Sequence, residues 1–176
     1  GAHARTARAR DAPLRNVLNP HPPPSRRAQL NLEIEPSQIV ALSANSAFGK
    51  STLLRLCERQ LIPTSGFVDF PPSWRVRFVD SIPQLSNDTL MANLRLGNKH
   101  EHSDDEIWEL SAQIGLSSEL IGRGDVPVGV SGEKLALSDR ICVSIIRALL
   151  SSVDLLLLPN VLDRLGQERA LRVLQV

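Results

Sequence analysis

The chain has 176 residues, 42% of them hydrophobic, and a formal net charge of +1. That is enough apolar material for one α/β domain, or most of one, with a buried core, and the near-neutral balance names no partner. Two cysteines exclude a disulfide scaffold and suit a reducing compartment.

Residues 1–28 read as an arm or linker. Arg5, Arg8, Arg10, Arg15, Arg26 and Arg27 face only Asp11, and the run P-H-P-P-P at 20–24 keeps the backbone extended. A solvated tail is the preferred reading; contact with phosphates or with an anionic membrane surface is the other. An Arg- and Ala-rich, acid-poor start also has the composition of a transit peptide. The globular part follows over 29–176. Positions 28–34 alternate polar and apolar, which predicts a half-buried strand.

The stretch Q-I-V-A-L-S-A-N-S-A-F-G-K-S-T-L-L-R-L-C at 38–57 carries the first chemistry. An apolar run at 39–42 predicts a strand. A loop of small residues follows, closing on Gly49-Lys50-Ser51-Thr52, and a helix is expected over 50–60. Strand, small-residue loop, Gly-Lys-Ser and helix make up a phosphate-binding P-loop. Its backbone amides, from Ser46, Ala47, Phe48, Gly49, Lys50, Ser51 and Thr52, point at an anion. Lys50 adds a point charge for the β- and γ-phosphates, and the Ser51 hydroxyl is placed to ligate Mg²⁺. Ala44 stands where the pattern has its first glycine; a methyl there costs about 1–2 kcal/mol if φ must be positive, without removing a donor.

Pro63-Thr64-Ser65-Gly66 turns into an expected strand at 67–70, and 74–79 alternates as another. A short helix is expected over 89–96. Ser103-Asp104-Asp105-Glu106 is a capping box opening a helix with Ile107, Trp108, Leu110, Ile114 and Leu116 on its apolar face. A glycine-bearing loop spans 122–132. A long helix begins at Leu137-Ser138-Asp139, and 153–158 (V-D-L-L-L-L) reads as a strand apolar on both faces, central in a parallel sheet. Region 141–158 is apolar but contains Arg147 and Asp154 and breaks at Ser151-Ser152, so it is a helix followed by a strand and not a membrane span. The last helix carries Ala170, Leu171, Val173 and Leu174. Cys57 and Cys142 both fall in apolar helical patterns and are expected to be buried.

From about Leu30 onward this order resembles the nucleotide-binding domain of an ABC transporter, closest to the exporter type. The family's G-x-x-G-x-G-K-S-T keeps its last four residues here and has Ala44 and Ala47 for its earlier glycines. P-T-S-G-F-V-D-F at 63–70 is similar to the family's turn into a strand. V-D-S-I-P-Q-L-S-N-D-T-L-M-A-N-L at 79–94 resembles the exporter Q-loop, with Ser81 at the metal-touching glutamine and Gln84 three positions late. S-D-D-E-I-W-E-L-S-A-Q-I-G-L at 103–116 resembles the helical subdomain, which would cover roughly 89–138. The signature L-S-G-G-Q, anchored on Arg147-Ala148-Leu149-Leu150, falls on Leu135, Ala136, Leu137, Ser138 and Asp139; a rival register on Val130-Ser131-Gly132 needs five extra residues before the helix.

The resemblance implies an α/β P-loop NTPase fold, with a mostly parallel core sheet, an N-terminal antiparallel β part and a helical subdomain. It implies ATP and Mg²⁺ as cofactors, a second nucleotide-binding domain and transmembrane domains as partners, no nucleic acid, and a place at the cytoplasmic face of a membrane. It also exposes departures. The Walker B strand, L-L-L-L-P-N at 155–160, has Pro159 at the metal-holding Asp and Asn160 at the catalytic Glu. Proline offers no side-chain oxygen, and a carboxamide cannot take a proton from water. Asp139 would put a carboxylate beside a facing domain's γ-phosphate. Leu165-Gly166 stands for the D-loop's Leu-Asp, no aromatic residue precedes Phe48 to stack an adenine, and His3, His21, His100 and His102 all precede Walker B. The switch histidine and the C-terminal strands would lie past Val176. The expectation is a degenerate domain with nucleotide binding weak or absent, little or no hydrolysis, and a structural or regulatory role. The alternatives are a working ABC-type ATPase completed by a partner domain, another P-loop protein such as a small-molecule kinase, and a module that has kept only the fold.

Overall fold

A computed structural model describes residues 30–43, 49–98 and 102–176. The arm at 1–28 and the loop residues Ser46, Ala47 and Phe48 lie outside the described residues. The chain divides into two compact units, Gly1–Trp74 and Arg75–Val176.

In the first unit the described residues before the P-loop form no strand, so the strand expected at 39–42 is not built, nor is the described part of the one at 28–34. A local turn is formed there. Ser37 takes φ 64°, and the Gln38 amide nitrogen donates to the Glu35 carboxylate at 3.2 Å. Alternation alone is a weak strand signal, because a strand exists only where a neighbour takes its backbone hydrogen bonds. Helix α1 is Lys50–Cys57, ending earlier than expected. The Gln60 N–H donates to the Arg55 carbonyl and the Arg59 N–H to the Leu56 carbonyl, each at 3.0 Å. That pair is a Schellman ending, built here with Arg59 at φ 63° instead of glycine. The Arg59 guanidinium lies 5.2 Å from the centre of the Phe70 ring, which stacks on Trp74. The strand expected at 67–70 is also absent, so no N-terminal antiparallel part is present among the described residues.

The second unit holds the core. Strand β1 (Val76–Phe78) pairs in parallel with β2 (Leu155–Leu157), Val76 opposite Leu155 and Phe78 opposite Leu157. Between them run helices α2 (Leu90–Arg95), α3 (Asp104–Ile114) and α4 (Leu137–Leu150), with a 3-10 turn at Val130–Gly132. Short helices α5 (Leu162–Leu165) and α6 (Gln167–Val173) follow. The capping box forms as expected: the Ser103 hydroxyl accepts from the Glu106 N–H at 3.3 Å, and the Glu106 carboxylate accepts from the Ser103 N–H at 2.8 Å. Helix α2 is started by the Thr89 hydroxyl, which accepts from the Ala92 N–H at 3.2 Å. Its remaining first-turn amides reach into the glycine loop, Leu90 to the Val126 carbonyl at 2.8 Å and Met91 to the Gly124 carbonyl at 2.9 Å. That loop is therefore strapped to α2, because helix-end donors need acceptors. Leu90, Leu94, Ile107, Ile114, Ile141 and Ile145 are fully buried where α2, α3 and α4 meet.

Candidate functional site

The described part of the P-loop begins at Gly49, with φ 80° and ψ 14°. Only glycine holds that conformation without strain. Among the described residues, no atom beyond its chain neighbours lies within 4 Å of where its Cβ would be, so the requirement there is backbone conformation. Gly49 leads into α1 with no side-chain cap on the helix. The amides of Ser51 and Thr52 have no acceptor within the helix and suit an anion. Ser51 is exposed, and Lys50 and Thr52 are half-buried.

The other candidate residues belong to the second unit. Val79, after β1, donates its N–H to the Leu157 carbonyl of β2 at 3.0 Å. Ser81 and Pro159 each follow two residues behind that bond, so both leave the carboxyl end of the parallel pair, where α/β sheets bind ligands. The Ser81 hydroxyl contacts Asp80 Oδ1 at 3.5 Å, and the same oxygen accepts from the Ile82 N–H at 3.1 Å. Gln84 is exposed. Strand β2 stops at Leu157, before Leu158, and the chain turns at Pro159 and Asn160. Asn160 is exposed at φ 54°. Proline followed by asparagine is turn chemistry: one fixes φ near −65°, the other tolerates positive φ. No carboxylate stands at either position. Among the described residues no group of three or more His, Cys, Asp or Glu could hold a metal ion.

The signature-like residues sit at the start of α4. Leu135 is buried, Ala136 is the exposed N-cap without a side-chain cap bond, and Leu137 and Ser138 are half-buried. Asp139 overturns the expectation of a carboxylate facing a nucleotide. It is only 5% exposed, and its Oδ1 accepts from the Ser117 hydroxyl at 2.8 Å and from Arg169 Nη1 at 3.2 Å. The physical reason is the partner: a buried carboxylate needs a cation and donors, and Arg169 and Ser117 supply both.

Two further networks were invisible in the sequence. Asn93 is fully buried; its amide donates to the Ser86 carbonyl at 3.0 Å and the Thr89 carbonyl at 2.9 Å, while its oxygen accepts from the Ser86 N–H at 2.9 Å and from Arg147. Arg147 Nε also donates to the Asn93 carbonyl at 2.5 Å, and burial pushes its guanidinium below the usual pKa. Arg75 clamps the start of both strands, its N–H donating to Asp154 at 2.7 Å and its Nη1 to the Ser151 carbonyl at 2.9 Å. Nothing in residue type or spacing pairs positions so far apart in the chain.

This architecture is that of a P-loop NTPase. The structure is similar to that of a bacterial Atm1-family ABC exporter with ATP bound, with TM-score 0.71 and 22% identity, over 91% of this chain and 30% of that one. The sequence profile of ABC transporters matches residues 28–161, and the chain belongs to that family. It is 34% identical over 153 residues to a mitochondrial potassium channel ATP-binding subunit of Homo sapiens, covering 78% of this chain and 20% of the relative. It is 30% identical over 155 residues to an ATP-dependent lipid A-core flippase of Thiobacillus denitrificans, covering 80% of this chain and 27% of the relative. The chain thus spans about a fifth to a quarter of the length of these relatives. Among the described residues, no helix is long and apolar enough to cross a membrane.

Proposed function

We propose that this chain is the nucleotide-binding domain of an ABC exporter, that it holds ATP and Mg²⁺ weakly or not at all, and that it hydrolyses little or none. The observation that carries the reading is the turn after β2, where Pro159 and Asn160 offer no carboxylate. The P-loop residues of the first unit suit a phosphate: positive-φ Gly49, the uncapped start of α1, Lys50 and the exposed Ser51 hydroxyl. The residues expected to drive hydrolysis do not suit that task. Bound Mg²⁺ would neutralise charge on the phosphates; Ser51 is the one hydroxyl assigned to it, and Pro159, at the Walker B Asp position, has no side-chain oxygen to offer. Asn160 can orient a water by hydrogen bonding but cannot take its proton. Ser81, already in contact with Asp80, is too short to replace a glutamine. Each loss alone costs about 10²–10³ in rate by analogy with single catalytic-group deletions, and together they leave no useful turnover.

The role is then structural or regulatory, as the inactive half of an asymmetric pair with a second nucleotide-binding domain, attached to transmembrane domains at the cytoplasmic face of a membrane. In this reading 1–28 is an arm and roughly 89–138 the helical subdomain. Titration calorimetry with ATP and ADP, with and without Mg²⁺, and a phosphate-release assay on the chain and on Lys50→Ala test it. Weak binding without turnover is expected. Mg·ATP turnover that disappears in Lys50→Ala overturns the inactive reading in favour of a working ATPase. Trapping by vanadate on mixing with the partner domain would do the same.

A further inference from the structure

Helix α6 has no buried residue of its own. Its apolar contribution is Val173, which packs on the core from the edge. Yet it lies beside α3 and α5, and two arginines tie it down. Arg172 Nη1 donates to the Ala112 carbonyl in the last turn of α3 at 3.4 Å, and its Nη2 pairs with Glu168 at 2.8 Å. Arg169 goes deeper. Its Nη1 reaches Asp139 at 3.2 Å and its Nη2 reaches the Ser117 hydroxyl at 3.2 Å. Ser117 also donates its N–H to Asp139 Oδ1 at 3.2 Å. The three side chains close a ring of charge-assisted bonds across the loop after α3, the start of α4 and the middle of α6.

The surroundings are shaped for these arginines. Gly115, at the end of α3, has φ 91°, and a Cβ there would stand 3.2 Å from Arg169 Cγ and 3.4 Å from Arg172 Cδ. The arginine stems therefore cross over a residue with no side chain. Cys142 nearby is fully buried, and its thiol feels the charges of both Arg169 and Asp139.

We propose that Asp139, Ser117 and Arg169 form a charge latch that holds α6 in place, so that breaking this ring releases α6 while the α2, α3 and α4 core stays folded. The asymmetry of buried ion pairs makes the latch decisive. With its partner the Asp139 carboxylate is satisfied; without Arg169 it must find water, and moving α6 aside admits it. The buried residues of the core lie on other elements, and α6 adds to it the partly buried Val173. The latch goes beyond the nucleotide reading and stands whether or not ATP binds.

Hydrogen exchange followed by mass spectrometry on the 176-residue chain and on Arg169→Met, Asp139→Asn and Ser117→Ala tests it. Arg169→Met keeps the apolar stem and removes the charge. The amides of Gln167–Val173 should exchange at least ~10-fold faster in that variant, the loss expected for a charged hydrogen-bond pair. The amides inside α4 should keep their wild-type rate. Maleimide labelling of Cys142, read on its own peptide, should rise by a similar factor. Unchanged exchange in α6 overturns the latch. So does acceleration of α4 and α6 by one common factor, which means global unfolding. If Arg169→Met fails to fold, Ser117→Ala, which removes only the bridging hydroxyl, gives the same two readings.

Discussion

At the residue scale, two asparagines show how differently one side chain can be used. Asn93 is a hub: it satisfies the loop at 86–89, caps nothing, and gives Arg147 its acceptors from inside the core. Replacing it by alanine removes the side-chain oxygen that accepts from the Ser86 N–H and from Arg147 Nη2, while Arg147 Nε keeps the backbone carbonyl of residue 93. Asn93→Ala should lose about 3 kcal/mol, the scale for breaking a buried network, read as a lower urea midpoint with the slope unchanged. Asn160 is exposed and used for its backbone. At φ 54° it accepts a conformation that β-branched residues resist. Asn160→Val should cost about 1–2 kcal/mol, whereas Asn160→Gly should be close to neutral. An ordering of these two variants that is reversed in thermal melts would show that the side chain, not φ, selects asparagine there.

At the element scale, what the sequence announced was what short-range chemistry dictates. The capping box at Ser103 and Glu106 was legible because both its bonds are local to one turn. Helices α2, α3 and α4 were legible from their apolar stripes. The strand at 28–34 was read from alternation and that at 67–70 from the turn before it, and neither is a strand among the described residues, because a strand needs a partner that no local pattern guarantees. The end of α1 was misplaced because Arg59 takes the left-handed position that glycine usually marks. The capping box makes a prediction with a sign. The Ser103 N–H and hydroxyl hold the Glu106 carboxylate below its usual pKa, with His102 adding a smaller effect. A lowered carboxylate stabilises the fold above its unfolded pKa of about 4.3, and that contribution fades as pH falls through the lower folded value. Ser103→Ala should cost about 1 kcal/mol near pH 7, and the difference from wild type should shrink below about pH 4. A constant difference down to pH 2 would mean that the Ser103 hydroxyl does not act through the charge of Glu106.

At the scale of the whole molecule, the family and its P-loop were legible because they rest on an ordered series of short segments. The fate of Asp139 was not, because its partners lie at Ser117 and Arg169 and only folding brings them together. The same cluster makes the unit at Arg75–Val176 sensitive to alkali. Burial pushes the Cys142 thiol up to about 11, with Arg169 opposing the rise and Asp139 adding to it. A thiol raised by folding contributes stability that is complete below the unfolded pKa of about 8.5 and is lost as pH climbs through the folded value. The chain should therefore weaken between about pH 8.5 and 11, and Cys142→Ala should flatten that slope while losing a little stability at neutral pH. Cys57, on α1, is also raised by burial, so it titrates in the same direction and Cys57→Ala is the needed control. The two thiols differ in what surrounds them: Cys142 belongs to the large apolar cluster and Cys57 does not. Ionising Cys142 charges the interior of the better-packed unit, so unfolding followed at Trp108, which packs against that cluster, should track Cys142 and be indifferent to Cys57. If the alkaline loss at Trp108 persists in Cys142→Ala and vanishes in Cys57→Ala, the two units unfold together.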